Sequence, residues 1–389
     1  MSLVAVLRCN GYDEALVGQT VRKGIDMLGG PAAFAKSGEK ILLKPNWLAP
    51  DPPEKCTCTH PMVFKAVCEA FLETGAKLWY GDSPAFQRPD AAANKSGCAG
   101  VADGLSIPLA DFRHGKEIFH AHGIQNKKFT IANGVLESDG VISLPKLKSH
   151  GFLRMTGAVK NQFGCIPGAL KGEFHVKTSD PTDFSRMLAD LNAFIKPRLY
   201  IMDGIIAMEG NGPRGGNPKA LNVLLFSTDP VALDAAACRI ISIDPRCVPT
   251  IKAGEDAGIG GALFELIGDP IEGFIDTTFA IKREPIAAYR PKGALIFAKN
   301  ALVPRPVIVA KKCIKCGVCV TVCPVNPKAL DWHDNNKNRP PSYMYKRCIR
   351  CYCCQELCPQ SAIRLKVPFL RKFFMKNKRS MKGNSLKTP

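Results

Sequence analysis

The chain has 389 residues, of which 46% are hydrophobic and 22% charged, so it is long enough to bury a large core and form a second domain. Its first residues lack a basic n-region with a cleavage site, and no run of about 18 apolar residues occurs, which argues against a secretory signal and a membrane span. We therefore expect a cytoplasmic protein, in which 17 cysteines indicate metal binding and not a disulfide framework.

Short β-rich runs alternate with amphipathic helical stretches up to about residue 270. The predicted strands are residues 3–9, 40–46, 76–83, 140–147, 198–204 and 221–228. The predicted helices are residues 14–30, 61–75, 181–195 and 229–242. Such alternation predicts an α/β fold with a largely parallel sheet covered by helices. Ligands of such folds tend to bind beyond the carboxyl ends of the strands.

Four segments are predicted along the chain. Residues 1–280 would form the α/β body with the candidate substrate site, and the proline-containing residues 281–304 a linker. Residues 305–366 would form a small α+β ferredoxin-like domain. Residues 367–389 would form a basic amphipathic tail.

One internal repeat decides the chemistry of the third segment. The sequence KCIKCGVCVTVCP at residues 312–324 returns as RCIRCYCCQELCP at residues 347–359, so that each cysteine recurs after 35 residues. Zinc sites are built from separate pairs of cysteines, whereas three cysteines at C-x2-C-x2-C, a fourth after three residues and then proline are typical of two-cluster iron–sulfur domains. The spacing therefore predicts two [4Fe-4S] clusters and disfavours zinc or disulfides.

The region resembles a bacterial ferredoxin domain with two [4Fe-4S] clusters, in which the fourth cysteine of each run ligates the other cluster. This implies two ligand sets, one of Cys313, Cys316, Cys319 and Cys358 and the other of Cys348, Cys351, Cys354 and Cys323. Cys353 is an additional thiol in the second run. It is expected to be a small apolar side chain beside the cluster, and the alternative is a substitute ligand.

The basic charge is concentrated near the C-terminus. Residues 305–389 contain 19 Lys and Arg against three acidic residues, while the whole chain has a net charge of +19. This charge predicts an acidic partner, such as a ferredoxin or flavodoxin carrier, or peripheral contact with an anionic membrane. No nucleic acid is expected, since no recognised nucleic-acid-binding motif accompanies the charge.

The tail offers two interpretations. If it is helical, four apolar side chains share one face, as in a helix that lies on a membrane or docks on a partner. Alternatively, the tail is frayed and these side chains pack on the ferredoxin domain. The four are Phe369, Leu370, Phe373 and Phe374.

Polar side chains follow several of the predicted strands. Singly, each has an ordinary explanation as a solvated residue, a helix cap or a turn. Together they predict a site for an anionic substrate, in which lysines neutralise charge and histidines or a carboxylate move protons. The candidate catalytic residues are Lys44, Asn46, His60, Asp82, Lys146, Lys148, His150, Lys160, Asn161 and Glu209, and further carboxylates lie at Asp203, Asp229 and Asp234.

The glycine-rich stretch GNGPRG at residues 210–215 matches a dinucleotide-binding pattern only superficially, because prolines and a strand follow it where a helix is required. A turn in which Arg214 cradles an anion and a simple solvent-exposed turn both remain open.

The segments KPNW, THP, GDSP, LPKLKSHG, TGAVKNQFG, EGNGPRGG and DPVALD, spread over residues 40–235, resemble the domain-of-unknown-function 362 family. The resemblance implies a body of this architecture followed by a C-terminal ferredoxin domain, without a settled reaction. Three isolated cysteines of the body are candidate redox thiols or ligands: Cys56, Cys58 and Cys165, of which Cys165 is predicted to lie in an exposed loop. The alternative is that all three are buried and inert.

The preferred function is an oxidoreductase that passes electrons from an acidic carrier through the clusters to an anionic substrate in the body. One alternative is a non-catalytic electron-transfer or docking subunit. The other is a cluster or metal delivery factor that uses Cys56, Cys58 and His60 as a transient site.

Overall fold

The computed structural model describes residues 1–286, 303–332 and 336–368. The chain divides into two compact units, Met1–Ile286 and Ala287–Pro389. The body therefore extends to Ile286, beyond the predicted end at residue 280, because residues 281–286 pack on it. Arg283, for example, donates hydrogen bonds to the Ser242 carbonyl at 2.6 Å and the Phe279 carbonyl at 2.9 Å. The apolar side chains predicted for the tail helix lie outside the described residues.

The elements of the first unit follow one another as the alternation predicts, with additional short elements between them. The strands are β1 (Ser2–Arg8), β2 (Lys40–Lys44), β3 (Lys77–Tyr80), β4 (Gly115–Phe119), β5 (Lys128–Ala132), β6 (Gly140–Ser143), β7 (Lys146–His150), β8 (Arg154–Thr156), β9 (Leu199–Glu209), β10 (Asn217–Ser227) and β11 (Phe264–Gly268). The helices are α1 (Glu14–Asp26), α2 (Pro61–Leu72), α3 (Pro89–Ser96), α4 (Cys98–Gly104), α5 (Asn133–Leu136), α6 (Ala158–Asn161), α7 (Leu170–Lys177), α8 (Pro181–Ile195), α9 (Pro230–Ile240) and α10 (Pro249–Asp256).

The main sheet of this unit is largely parallel, as predicted. Its strand order is β11-β1-β10-β9-β6-β2-β3, with β7 paired to β9 and β8 to β7. The pairs β1–β11, β2–β3, β2–β6, β6–β9 and β7–β9 are parallel. Strand β10 is antiparallel to both neighbours, and β8 is antiparallel to β7. The carboxyl ends of β2, β3 and β6 therefore meet along one edge.

The strand predicted at residues 140–147 is interrupted. Pro145 lacks the N–H that a central strand needs, so β6 ends at Ser143 and β7 begins at Lys146. Both strands still run along β9, and Lys146 lies opposite Asp203 in the register. The interruption places two lysines of β7 beyond the end of β6.

Helices cover the sheet because its strands are apolar on both faces. Val17, Val21 and Ile25 of α1 are fully buried, as are Phe64 and Phe71 of α2. They pack in one core cluster with side chains of β1, β2 and β10. Helix α9 also contacts the sheet and is buried over nearly its whole length. Its N-cap is Asp229, whose carboxylate accepts from the backbone N–H of Val231 at 2.7 Å and Ala232 at 2.9 Å.

A carboxylate on α9 fixes the start of α6. Asp234 is 1% exposed and accepts from the backbone N–H groups of Ala158 at 2.6 Å and Val159 at 3.2 Å. A Cβ at Gly157 would lie 2.0 Å from the Asp234 carboxylate, so only glycine permits this approach. Burial raises the pKa of Asp234 to about 7, while its two backbone hydrogen bonds oppose that increase. Asp234 thereby positions the helix that carries Lys160 and Asn161.

The second unit shows the internal repeat as structure. Its described elements are β12 (Arg305–Ile308), α11 (Val318–Thr321), β13 (Leu330–Asp331), β14 (Ser342–Tyr343), α12 (Cys353–Glu356) and β15 (Ile363–Lys366). Helix α12 lies 35 residues after α11, in agreement with the sequence repeat. The strands form two antiparallel pairs, β12 with β15 and β13 with β14. This small α+β unit confirms the predicted ferredoxin-like fold class. Among the helices in the described ranges, none is sufficiently long and apolar to cross a membrane.

We predict that Asp234→Ala lowers the free energy of unfolding of the body by about 2 to 3 kcal/mol, because two buried N–H groups lose a charged acceptor. Asp234→Asn should cost less, since an amide oxygen remains as an acceptor. Denaturant unfolding above the raised pKa, near about pH 8, measures both. Glu173→Ala, which removes an exposed pair with Lys177, is the control and should change stability by less than about 0.5 kcal/mol. Equal effects of Asp234→Ala and Glu173→Ala would contradict the prediction.

Candidate functional site

A buried ion pair joins the ends of β2 and β3. Lys44, the last residue of β2, is 0% exposed, and its Nζ lies 2.8 Å from the carboxylate of Asp82. The same amine donates to the Asn161 carbonyl at 2.7 Å. A Cβ at Gly164 would lie 1.8 Å from Asp82 and 2.9 Å from the lysine amine, so the backbone there approaches the pair closely. Adjacent parallel strands thus create the pair, and the α6 region closes over it.

A second buried lysine is held by neutral oxygens. Lys148 of β7 is 1% exposed and donates to the side-chain oxygen of Asn46 and, at 2.7 Å, to the Thr57 carbonyl. Asn46 in turn donates from its amide to the Asn161 side-chain oxygen at 2.9 Å. The structure thereby connects five of the predicted residues, Lys44, Asp82, Asn161, Asn46 and Lys148, through direct contacts.

A second ion pair lies at the β7–β9 register. Lys146 donates to Asp203 at 2.7 Å and to the hydroxyl of Tyr12 at 2.8 Å, and Tyr12 donates to Asp203 at 2.9 Å. The backbone N–H of His60 also donates to Asp203, at 3.0 Å. The His60 ring stacks on Tyr12 with centroids 3.5 Å apart. Burial lowers the pKa of His60 to about 4, so its ring is neutral near pH 7.

The lysines of this region exceed the carboxylates that contact them. Lys44 and Lys146 each have an aspartate, whereas the amines of Lys148 and Lys171 donate to neutral oxygens. Lys171 of α7 is 6% exposed and donates to the Ile166 carbonyl at 2.6 Å. Burial lowers the pKa of both Lys148 and Lys171 to about 7, and neighbouring lysine charges add to the shift. Because an uncompensated buried charge is costly, an anion would be favoured beside these amines.

His150 and Lys160 lie at the same end of the body. The His150 ring nitrogen accepts from the backbone N–H of Phe152 at 3.0 Å and of Leu153 at 3.2 Å. His175 stacks on Phe184 with centroids 4.6 Å apart, and burial lowers its pKa to about 3. The charge of half-buried Lys160 contributes to the lowered pKa values of Lys148, His150 and His175. Lys160 is therefore close to all three.

Glu209 and Arg214 make contacts that do not involve the lysines. The Glu209 carboxylate, at the end of β9, accepts from the Ala280 backbone N–H at 2.7 Å. The Arg214 guanidinium makes a bidentate pair with Asp51 at 2.7 and 2.9 Å. Asp51 therefore occupies the guanidinium of Arg214, the side chain considered for anion binding in the glycine-rich turn.

The isolated cysteines of the body are buried. Cys165, expected in an exposed loop, is 0% exposed, because residues 162–165 form a short 3-10 helix within the core. Burial raises the pKa of Cys165 and of Cys58 to about 12, and it also raises the pKa of Cys56. A thiolate, the reactive form, is therefore disfavoured at all three positions.

The first predicted cluster set lines one pocket of the second unit. Cys313, Cys316, Cys319 and Cys358 all border it, although Cys358 is distant in sequence. Burial raises the pKa of Cys319 to about 12, and the charges of Cys358, Cys313 and Cys316 add to the shift. The backbone therefore brings Cys358 to the first run of cysteines, and these four thiols fit the donor set of a [4Fe-4S] cluster.

The second set, unlike the first, has no exposed cysteine. Cys351 and Cys354 are buried, Cys348 and Cys323 are partly buried, and Cys323 packs in the same apolar cluster as Cys354. The additional thiol of Cys353 hydrogen-bonds to Cys351 and lowers the pKa of Cys351. Within the described ranges, no three His, Cys, Asp or Glu side chains gather in the arrangement of a single-ion site.

The two cysteine loops share an unusual backbone conformation. Lys315 and Arg350, 35 residues apart, have φ values of 60° and 67°, and Gly317 and Tyr352 have φ values of 78° and 65°. Left-handed residues beside helical ones form concavities lined by N–H groups, which bind anionic sulfur clusters. Both loops are thus shaped alike for the same type of ligand.

Comparison with known proteins agrees with this geometry. Residues 41–239, more than half of the chain, match the family described as "Domain of unknown function (DUF362)". Residues 312–362 match a 4Fe-4S dicluster domain. The chain belongs to the DUF362 family. The dicluster match also makes this DUF362 protein an iron–sulfur electron-transfer protein.

One relative and two solved structures define the similarity further. A thylakoid-associated protein of Synechocystis sp. is 37% identical over 264 residues, which are 68% of this chain and 82% of the relative. The lactate racemase apoprotein of Thermoanaerobacterium thermosaccharolyticum has a TM-score of 0.39 and 11% identity, covering 60% of this chain and 56% of the other. A Thermotoga maritima protein has a TM-score of 0.35 and 12% identity, with 65% and 60% covered. The DUF362 chain spans less than two thirds of either structure, and neither bears on its function.

Sequence reasoning missed three residues of the DUF362 site. Tyr12 follows β1, so the strand-end rule that found the lysines could have identified it. Lys171 and His175 lie on α7 at a spacing of one helical turn. No sequence signal marked them, because only the fold brings α7 to the strand ends.

We predict that Lys148→Met reduces the pH dependence of body stability. The folded pKa of Lys148 is about 7, below the unfolded value of 10.5, so the unfolded state holds an extra proton between these pH values. The free energy of unfolding should therefore rise with pH above about pH 7, by about 1 kcal/mol per pH unit for this lysine. Denaturant unfolding between about pH 7 and about pH 8.5 measures the slope. Thiols of the unfolded chain begin to titrate in this range, but they contribute equally to the wild type and the variant, so the difference between the two slopes reports Lys148.

The matched control is Lys77→Met, which replaces an exposed lysine at the start of β3. It should leave the slope unchanged, whereas Lys148→Met should flatten it and stabilise the body at the lower end of the range. Identical slopes for the wild type and Lys148→Met would rule out a depressed pKa at Lys148.

Proposed function

We propose that this DUF362 protein is an oxidoreductase that binds two [4Fe-4S] clusters and passes electrons from an acidic carrier to an anionic substrate in the body. Two buried amines in a chain with a dicluster domain carry the proposal. Among the described residues, Lys148 and Lys171 donate to neutral oxygens and contact no carboxylate. Such amines favour a bound anion, and the dicluster domain supplies a route for electrons.

The cysteines support two clusters with crosswise ligands. Cys358 borders the same pocket as the first three cysteines of the other run, and the backbone conformation repeats in the second run. Cys323 packs against an apolar cluster that contains Cys354 of the other run, together with Cys319 and Cys358. When bound, each cluster supplies one-electron transfer.

The substrate is proposed to be a small anion that accepts electrons. Lys148, Lys160 and Lys171 neutralise its charge, while the Lys44–Asp82 and Lys146–Asp203 pairs hold the surrounding strands in place. A two-electron reduction would consume two electrons from two successive carrier molecules and two protons. The ammonium form of Lys148 is a suitable proton donor because its pKa is close to neutral.

The exposed side chains beside the first cluster set suit an acidic carrier. Lys311, Lys312 and Lys315 are exposed, and Ile314 between them is 57% exposed. Cys316 is the one exposed thiol of the first set. An apolar residue ringed by lysines beside a redox centre favours a carrier with an acidic rim, such as a ferredoxin or flavodoxin.

The basic charge also supports a peripheral position at a membrane from the cytoplasmic side. The Synechocystis relative is named as thylakoid-associated, and residues 305–389 of this chain carry a large excess of Lys and Arg. Anionic lipid would attract such a segment without a membrane-spanning helix.

A second candidate is a non-catalytic electron-transfer or docking subunit. The observation that favours it is that the amines of Lys44 and Lys146 already contact an aspartate and a further oxygen within the body. In that case the lysine cluster only stabilises the sheet edge, and no small molecule reoxidises the reduced protein.

We predict that, with crosswise ligation, replacing two cysteines of the same set removes no more iron than replacing one of them. Cys316→Ala, Cys358→Ala and the double variant should each lose about four of the eight irons per chain. Cys351→Ala combined with Cys358→Ala should lose all of them, because the two cysteines belong to different sets. Iron and sulfide analysis of anaerobic protein measures this.

Cys353→Ala is the matched control and should retain all of the iron. Crosswise ligation is wrong if Cys358→Ala combined with Cys351→Ala retains as much iron as Cys351→Ala alone.

We predict that Lys160→Ala slows reoxidation of the reduced protein by substrate on the order of a hundredfold, because one cation that faces the substrate is lost. Anaerobically reduced protein is mixed with the low-molecular-mass anion fraction of a cell extract, and cluster absorbance is followed. Lys77→Ala, on the exposed start of β3, is the control with unchanged kinetics. Wild-type protein that no anion reoxidises would favour the docking subunit, and equal rates in wild type and Lys160→Ala would remove Lys160 from the site.

A further inference from the structure

A tyrosine hydroxyl lies against one sulfur of the second cysteine set. The Tyr343 hydroxyl oxygen is 3.3 Å from the Cys354 sulfur. The two atoms are in hydrogen-bond contact, and a thiolate that ligates iron has no proton to donate. The hydroxyl of Tyr343 is then the donor and the Cys354 sulfur the acceptor.

The position of Tyr343 is fixed by its neighbours. Its ring stacks on Tyr345 with centroids 5.3 Å apart and an interplanar angle of 8°. The Tyr345 hydroxyl donates to the Pro306 carbonyl at 2.8 Å, and the Arg305 guanidinium lies 4.9 Å from the Tyr345 ring centre. Tyr345 thus supports Tyr343 while its own hydroxyl is directed to the backbone.

The first cysteine set has no hydroxyl at the equivalent position, although the sulfur of its Cys358 accepts a hydrogen bond from the Ala362 backbone N–H at 3.3 Å. The repeat of 35 residues places Ile308 at the position equivalent to Tyr343, and Cys319 at the position equivalent to Cys354. Ile308 borders the same pocket as Cys313 and Cys319. At this position, the first set therefore has an apolar side chain where the second has a hydroxyl.

We propose that Tyr343 raises the reduction potential at the second site by donating a hydrogen bond from its side-chain hydroxyl to the Cys354 thiolate. The proposal rests on the two clusters of the proposed function. Reduction adds negative charge to a cluster, and a hydrogen bond to a ligand sulfur stabilises that charge.

The hydrogen bond from Tyr343 offsets the effect of low solvent exposure on the reduction potential of the second site. Each set has two buried cysteines, but the first set also contains the exposed Cys316, whereas no cysteine of the second set is exposed. Burial disfavours the added charge of the reduced state and lowers the potential. The Tyr343 hydroxyl opposes this effect, so that the buried second site remains reducible by electrons that arrive at the exposed first site.

The test is an anaerobic redox titration of the full chain, with reduction followed by low-temperature electron paramagnetic resonance. Tyr343→Phe should make one of the two reduction steps less favourable by about tenfold in its equilibrium constant. For one electron this lowers the reduction potential by about 59 mV, and the other step should not change. In a Cys316→Ala background, where the second site alone retains its cluster, the remaining step should be the one that shifts.

Tyr345→Phe is the matched control and should shift neither step, because its hydroxyl contacts the Pro306 carbonyl and no sulfur. If Tyr343→Phe fails to retain its iron, Tyr343→Ile replaces it, since the first repeat has isoleucine at this position. Unchanged potentials in a variant that retains about eight irons overturn the role of Tyr343 and leave the proposed function intact. Wild-type protein with only one cluster overturns the proposed function, and the inference with it.

Discussion

The burial of lysine amines at the carboxyl edge of the sheet is the constraint on which the body depends. Removing a charged amine from water costs several kcal/mol unless a partner compensates it. Lys44 and Lys146 obtain that partner from the neighbouring strand, as Asp82 and Asp203. Parallel order makes these contacts possible, because adjacent strands end together. The amines of Lys148 and Lys171 donate to neutral acceptors instead. This excess of positive charge is the reason for proposing an anion site there.

The ferredoxin-like unit depends on a comparable constraint, with the sign of the charge reversed. Thiolate sulfurs gather there, and left-handed residues at equivalent places in both loops surround them with backbone N–H groups. Lysines on the outside add positive charge beside the first set. In the proposed function, both units stabilise negative charge, the body on a small anion and the ferredoxin-like unit on clusters and on an acidic carrier. Adding electrons to an anion would require both.

Different parts of this account could be predicted from the sequence to different extents. A cluster-binding domain is encoded locally, so the spacing and the repeat predicted the dicluster domain that the family match shows. The lysines were found because polar residues after β-rich runs mark a shared edge. Pro145, which divides the strand predicted at residues 140–147, was visible in the sequence, but its effect on the register with β9 was not.

What the sequence did not reveal depends on tertiary structure. Cys165 is buried because residues 162–165 fold over the Lys44–Asp82 pair, which no local pattern indicates. Lys171 and His175 reach the strand ends through the path of α7. Tyr343 is separated from Cys354 by ten intervening residues, and only the pairing of β13 with β14 places its hydroxyl at the sulfur. Such contacts follow from how elements pack and not from their own periodicity.

The central claim, that the lysine cluster of the body holds an anion, is tested most directly by identifying what the anaerobically purified protein carries. Mass spectrometry of small molecules released from the wild type and from Lys148→Met would make the comparison. The account predicts an anionic compound in near-stoichiometric amount in the wild type, depleted in Lys148→Met at equal iron content. An anion retained equally by both proteins, or a wild type that neither carries nor binds one, would contradict it.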